Sequence, residues 1–166
     1  MDKVFEMLCV NRELHSALFV PVCAKYHLTH TEMMVLLHLK EKTEGDTAAD
    51  IVKRLKLAKS HVSASVRDLV ERGLVKGSYE GGNHRSIHLQ LCESAKPIVM
   101  EGEKVQRNFS AIIEAGFTQE EKKIFREYLH RMAENANTYL KNHNYNPPFC
   151  ERHQCVMKHL NYLSLF

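Results

Sequence analysis

Apolar positions recur along most of this chain at the spacing of helices. From Asp2 to about Lys25, Val4, Leu8, Leu14, Leu18 and Val22 form one stripe, and Pro21 marks a kink or an end. A second helix is predicted from about Thr31 to Lys42, with Met34, Leu36, Leu37 and Leu39 inside and Thr29 or Thr31 as its cap. Thr43–Asp46 reads as a loop. Thr47–Leu55 then opens with Thr47-x-x-Asp50, a capping-box pattern, and carries Ile51, Val52 and Leu55 on one face. After a tight connection at Lys56–Ala58, Val62, Val66, Leu69 and Val70 define a helix from about Lys59 to Arg72, which Gly73 stops.

The period then changes from helical to alternating. Ile87, Leu89 and Leu91 alternate with His88 and Gln90, and Gly81-Gly82-Asn83-His84 separates this arm from Leu74–Glu80. The pair predicts a β-hairpin. Two long helices follow, about Glu93–Ala115 and Thr118–Lys141, with Gly116-Phe117 between them and a second capping box at Thr118-x-x-Glu121. Beyond Pro147-Pro148 a short helix is predicted through Val156, Leu160 and Leu163. The expected fold class is mainly α with one small β-hairpin.

A short helix, a tight turn and a second helix make a helix-turn-helix, and the hairpin after it makes a wing. The second helix of such a motif enters the major groove of duplex DNA with its N-terminal residues. If Val62, Val66 and Leu69 dock on Ile51, Val52 and Leu55, the opposite face carries Lys59, Ser60, His61, Ser63, Ala64 and Arg67. Small residues admit the backbone close to the bases. Hydroxyl and imidazole groups read base edges or hold phosphates, and the cations neutralise phosphates. The predicted wing tip, Asn83-His84-Arg85, suits a minor groove, whose negative potential favours Arg.

Charge sharpens this reading. The chain has 166 residues and a net charge of only +3. Between Thr47 and Leu91, however, eight cations (Lys53, Arg54, Lys56, Lys59, Arg67, Arg72, Lys76, Arg85) face four anions (Asp50, Asp68, Glu71, Glu80). The excess sits in the predicted DNA-binding segment, and the flanks are close to neutral.

The order of elements resembles the MarR family of bacterial winged-helix transcriptional regulators. The residues that carry the resemblance are LTHTEMMVLLHL (Leu28–Leu39), TAADIVKRLKLAKSHVSASVRDLVERGLV (Thr47–Val75) and the wing through HLQL (His88–Leu91). The resemblance implies a winged helix-turn-helix with long N- and C-terminal dimerisation helices. It implies a ligand-responsive repressor, a homodimer on a near-palindromic operator of double-stranded DNA. By position, Ser60, His61, Ser63, Ala64 and Arg67 match the family's recognition-helix contacts, and Arg85 its wing arginine. The chain departs from the pattern at Asn83-His84, where Asp-Arg is common, at Ala58, where a capping side chain is common, and at Cys92, where Thr is usual. The domain expected from this likeness spans 1–146, with a DNA-binding lobe at about 31–91 and dimerisation helices at about 2–25 and 93–141. Residues 147–166 form a C-terminal extension.

Pairing of two copies also follows from the apolar positions. Val4, Leu8 and Leu18 on the first helix, with Ile124, Leu129, Met132 and Leu140 on the last, exceed what one thin helical layer hides. The alternative is a monomer with a self-contained core.

Three signals suit such a regulator. A small-molecule effector would sit in a crevice lined by His15, Phe19, Tyr26, Met33 and Met34, residues that equally fit core packing. A metal would take Cys150, His153, Cys155 and His159, four donors within ten residues whose thiolates and imidazoles suit zinc, or Cys23 with His27 and His30. An oxidant would act on Cys9, a thiol on the first helix. No bound cofactor is otherwise expected. An enzyme is not expected either, because nucleophile elbow, phosphate-binding glycine loop and His-Glu-x-x-His patterns are all missing from the sequence. Five scattered Cys argue against a disulfide framework, and no apolar run reaches the length of a membrane span, so a cytoplasmic location is expected. The other class open to this scaffold is a winged-helix module that binds protein instead of DNA.

Overall fold

The structure is a computed structural model and describes residues 2–41, 45–79 and 87–143. Six α-helices and one hairpin follow in the order α1 (Lys3–Lys25), α2 (His30–Glu41), α3 (Ala48–Leu55), α4 (Lys59–Glu71), β1 (Val75–Ser78), β2 (His88–Leu91), α5 (Lys96–Ile113) and α6 (Gln119–Asn142). A single 3₁₀ turn, Glu93–Ala95, leads into α5.

Local chemistry sets the boundaries. Asp2 caps α1 by accepting from the Val4 amide. Pro21 lies inside α1 and does not end it; the helix runs on to Lys25. It stops in two backbone bonds, Leu28 N–H to Cys23 O and His27 N–H to Ala24 O, with His27 in the left-handed region at φ 51°. That is a Schellman ending with His where Gly is usual. Thr29 rather than Thr31 caps α2. The Glu32 amide donates to its hydroxyl, and Glu32 Oε2 accepts from the Thr29 amide and hydroxyl. The boxes at Thr47/Asp50 and Thr118/Glu121 form as their sequences predict. Gly73, at φ 65°, ends α4 with a second Schellman pair, Leu74 N–H to Leu69 O and Gly73 N–H to Val70 O.

The core lies where α1, α2, α4 and α5 meet the base of the hairpin. Phe19, Met33, Val35, Leu36, Ile51, Val62, Leu69, Val75 and Val99 are its largest fully enclosed side chains. Val52, Leu55 and Val66 pack on it from its edge. Gly102 marks the close crossing of α5 over α2. A Cβ there would lie 3.0 Å from Met33 Sδ and 3.1 Å from Leu37 Cδ2. The strands pair antiparallel from Val75 with Leu91 to Ser78 with His88. Thr47 forms a further bridge with His88, which fastens the wing to the start of α3.

α6 stands apart from this packing, with no buried residue. Ile124, Tyr128, Met132, Tyr139 and Leu140 lie exposed along it, as do Val4, Met7 and Val10 on α1. Leu8, Leu18 and Leu129, grouped with them from the sequence, are half-buried.

Candidate nucleic-acid interface

The turn between α3 and α4 is made by Lys56, which takes the left-handed conformation at φ 52° and reverses the chain in three residues. Its Cβ makes that conformation costlier than it is for glycine. Ala58 then occupies the N-cap of α4 and offers no side-chain oxygen to the amides that follow. A helix start left in this state favours an anion, through both its amides and its dipole.

α4 divides cleanly into two faces. Val62, Ser65 and Leu69 are buried against α2 and α3, and Val66 is half-buried. Lys59, Ser60, His61, Ser63 and Arg67 are exposed together on the other side, while Ala64 is half-buried at its margin. Five of the six residues expected on the outward face are therefore fully on it. Arg67 is not idle there. Its Nε lies 3.5 Å from Asp68 Oδ1 and 3.9 Å from Glu71 Oε1, and its side chain is 68% exposed. Such exposed pairs are worth up to about 1 kcal/mol and yield readily to a stronger anion.

The wing's base joins this surface through specific bonds. His88 Nδ1 lies 2.6 Å from Asp46 Oδ1, and the Leu89 amide donates to Asp46 O at 2.9 Å. The hydrogen bond from the Thr47 hydroxyl holds the Asp50 carboxyl below its usual range. The expected wing-tip residues Asn83, His84 and Arg85 lie outside the described residues.

The expected effector residues do not all meet. The His15 and Phe19 rings meet inside the core at 4.6 Å, tilted by 42°, with His30 edge-on to both and Phe109 edge-on to His15. Met33 is buried near Gly102, and Met34 is half-buried. The Tyr26 hydroxyl instead donates to Glu101 on α5 at 2.9 Å.

Cys23, His27 and His30 do not form a metal site. His27 is exposed at the end of α1, His30 faces the aromatic cluster, and among the described residues no group of three or more His, Cys, Asp or Glu is placed to hold a metal. Burial, and then the charge of Glu32, pushes the Cys23 thiol up, away from the thiolate that a metal requires. Cys9 is half-buried on α1. Cys150, His153, Cys155 and His159 lie outside the described residues. Arg72, expected only as a cation at the end of α4, donates to the Tyr26 and His27 carbonyls.

A helix-turn-helix with a hairpin fastened beside it is the scaffold of a winged-helix DNA-binding regulator. Comparison with known proteins agrees. The family model described as MarR family matches residues 27–86. The transcriptional regulator ZitR of Lactococcus lactis is 30% identical over 110 residues, covering 64% of this chain and 74% of that protein. The transcriptional regulator AdcR of Streptococcus pneumoniae is 25% identical over 127 residues, covering 75% of this chain and 86% of that protein. A MarR-family regulator from Listeria monocytogenes, solved with a 26-mer DNA, has the same fold at a TM-score of 0.75 and 19% identity, covering 89% of this chain and 98% of that one. The chain belongs to the MarR family of winged-helix, DNA-binding transcriptional regulators. Among the described residues no helix is long and apolar enough to cross a membrane.

Proposed function

We propose that the chain acts as a homodimer on a near-palindromic operator, with α4 in the major groove and the wing in the adjacent minor groove. One observation carries this reading: Lys59, Ser60, His61, Ser63 and Arg67 share an exposed face while Val62 and Leu69 anchor the opposite one in the core. Lys59 and Arg67 neutralise phosphates, and Ser60, His61, Ser63 and Ala64 face base edges. Arg85, preceded by Asn83 and His84, supplies the wing contact. The uncapped start of α4 adds a site for a backbone phosphate.

The dimer is supported by α6, whose apolar stripe is exposed and has no partner among the described residues. Two copies that bury it place two copies of α4 on one face of a duplex, as a two-fold operator requires. The protein binds rather than catalyses, and it works in the cytoplasm, where duplex DNA is accessible. A small-molecule effector acting between α1, α2 and α5 releases repression by moving the two lobes. His15, Phe19, Tyr26, Met33 and Met34 are the residues from which a site there would be made.

Zinc is a second effector for the same regulator, favoured by the donor set Cys150, His153, Cys155 and His159. A zinc titration separates it: Cys150→Ser weakens zinc binding if the set is used and leaves it unchanged if it is not.

Anisotropy titration of a labelled duplex at several salt concentrations tests the DNA reading. Each phosphate contact releases condensed counterions, so log K falls with log salt at a slope near −0.9 per contact. A steep slope supports the reading. A flat slope with weak binding favours the protein-binding module.

A further inference from the structure

Arg72, the C-cap of α4, spans two parts of the fold. Its Nη2 donates to Tyr26 O at 2.7 Å and its Nη1 to His27 O at 2.9 Å. These two carbonyls stand at the end of α1, where the Schellman turn uses the His27 and Leu28 amides and the Tyr26 and His27 oxygens accept from Arg72 instead. The partial negative charge of a helix C-terminus attracts a guanidinium, and the planar fork meets two acceptors in one fixed orientation. The same turn is held from its other side. Lys25 Nζ and Tyr26 Oη both donate to Glu101 Oε1 on α5. One short segment, residues 25–27, thus connects α5 to the end of α4.

We propose that Arg72 is a positioning residue that fixes the angle of the recognition helix against the α1–α5 frame, and so sets the spacing of half-sites that the dimer accepts. The inference rests on the DNA-binding reading above. α1 and α5 move with the dimer, whereas α4 moves with the DNA-binding lobe, so any freedom at their junction becomes freedom in the distance and twist between two recognition helices. One base pair added between half-sites rotates them by about 34–36° and shifts them by about 3.4 Å. A forked contact at the base of α4 resists a displacement of that size. A single flexible contact does not. No phosphate or base contact is assigned to Arg72: it follows the last turn of α4, and the DNA-facing residues occupy the first turns.

The test uses the full chain and synthetic duplexes carrying two inverted half-sites, separated by lengths that change one base pair at a time. A duplex with a single half-site serves as reference. The wild-type protein binds one spacing best. Arg72→Ala flattens that profile, lowering the preference for the best spacing by about tenfold, the equivalent of one lost charge-assisted hydrogen bond. Affinity for the single half-site changes by less than about twofold, and the preferred base sequence is the same. Arg72→Lys, which keeps the charge and reaches one carbonyl but not two, gives an intermediate profile. It also decides the matter if Arg72→Ala does not fold. Spacing profiles of both variants that overlay the wild type overturn the inference. So does an equal loss at every spacing and at the single half-site, which would make Arg72 a DNA contact or a general structural residue. If the wild-type protein itself shows no preferred spacing, the dimeric DNA reading fails first, and that failure is visible without any substitution.

Discussion

Glu114, only 4% exposed at the turn between α5 and α6, accepts from Arg126 Nη2 at 2.7 Å, and Lys122 Nζ lies 3.5 Å from its other oxygen. No side chain of α6 is buried, so among the described residues this carboxylate is the main fixed point of a 24-residue helix. Phe117 and Phe125, edge-to-face at 5.6 Å, add an apolar contact at the same turn. Glu114→Gln keeps the shape and loses the charge. Urea unfolding should show a loss of about 1.5–3 kcal/mol, the range for a hydrogen bond to a charged group. Arg126→Ala should cost less, because Lys122 still faces the carboxylate. Superimposable unfolding curves for wild type and Glu114→Gln would remove the anchor from the account.

The exposed stripe on α6 predicts its own partner. Met132→Glu and Leu140→Glu each place a charge where a second copy should pack. Light scattering after gel filtration should report dimers for wild type and monomers or a concentration-dependent mixture for the variants. Far-UV circular dichroism should be unchanged, since neither residue is in the core of the chain. Variants that remain dimeric would place the contact elsewhere.

Acid should act on the two capping boxes. The Thr47 hydroxyl lowers the Asp50 pKa, and the Thr118 amide, then its hydroxyl, lowers that of Glu121. A folded pKa below the unfolded value gives stability that is complete above about 3.9 for Asp or 4.3 for Glu. It is lost as pH falls through the folded value. The melting-temperature gap between wild type and the Asp50→Asn, Glu121→Gln double variant should stay constant from about pH 8 to pH 5. It should close below about pH 4. A gap that persists at lower pH would mean that the charges do not stabilise the caps.

Contacts to bases and to phosphates should separate on α4. Arg67→Ala should weaken binding to all duplexes alike and flatten the salt slope by about one contact. Ser63→Ala should change the preferred sequence, with a discrimination loss of about 1–3 kcal/mol. The intrahelical pairing of Arg67 with Asp68 and Glu71 moderates the first effect. Identical behaviour of the two variants on random and operator DNA would refute the base-reading role of Ser63.

Much of this was legible in the sequence because local rules set it. The boxes at Thr47 and Thr118, the stop at Gly73 and the two-faced pattern of α4 are each fixed within a few residues, and the structure follows them. Of the two roles expected of Pro21, ending the helix is not taken up, since a tertiary scaffold tolerates one missing amide in a 23-residue helix. Pairing begins at Val75 with Leu91, one residue after the expected start at Leu74. The link from Arg72 to Tyr26 and His27 joins residues about 45 positions apart, and no periodicity reports a side chain that seeks a distant main-chain carbonyl. Cys23, His27 and His30 looked like a donor set by spacing alone, but the left-handed turn at His27 sends the chain elsewhere.

The most direct test of the whole account is selection of duplexes from a random pool by the purified full-length protein, followed by sequencing. The account predicts enrichment of a motif with two inverted halves whose centres lie about one helical turn, or 10–10.5 base pairs, apart. Substitution of Ser63 should then alter both halves in the same way. Recovery of no motif, or of a single asymmetric one, would contradict it.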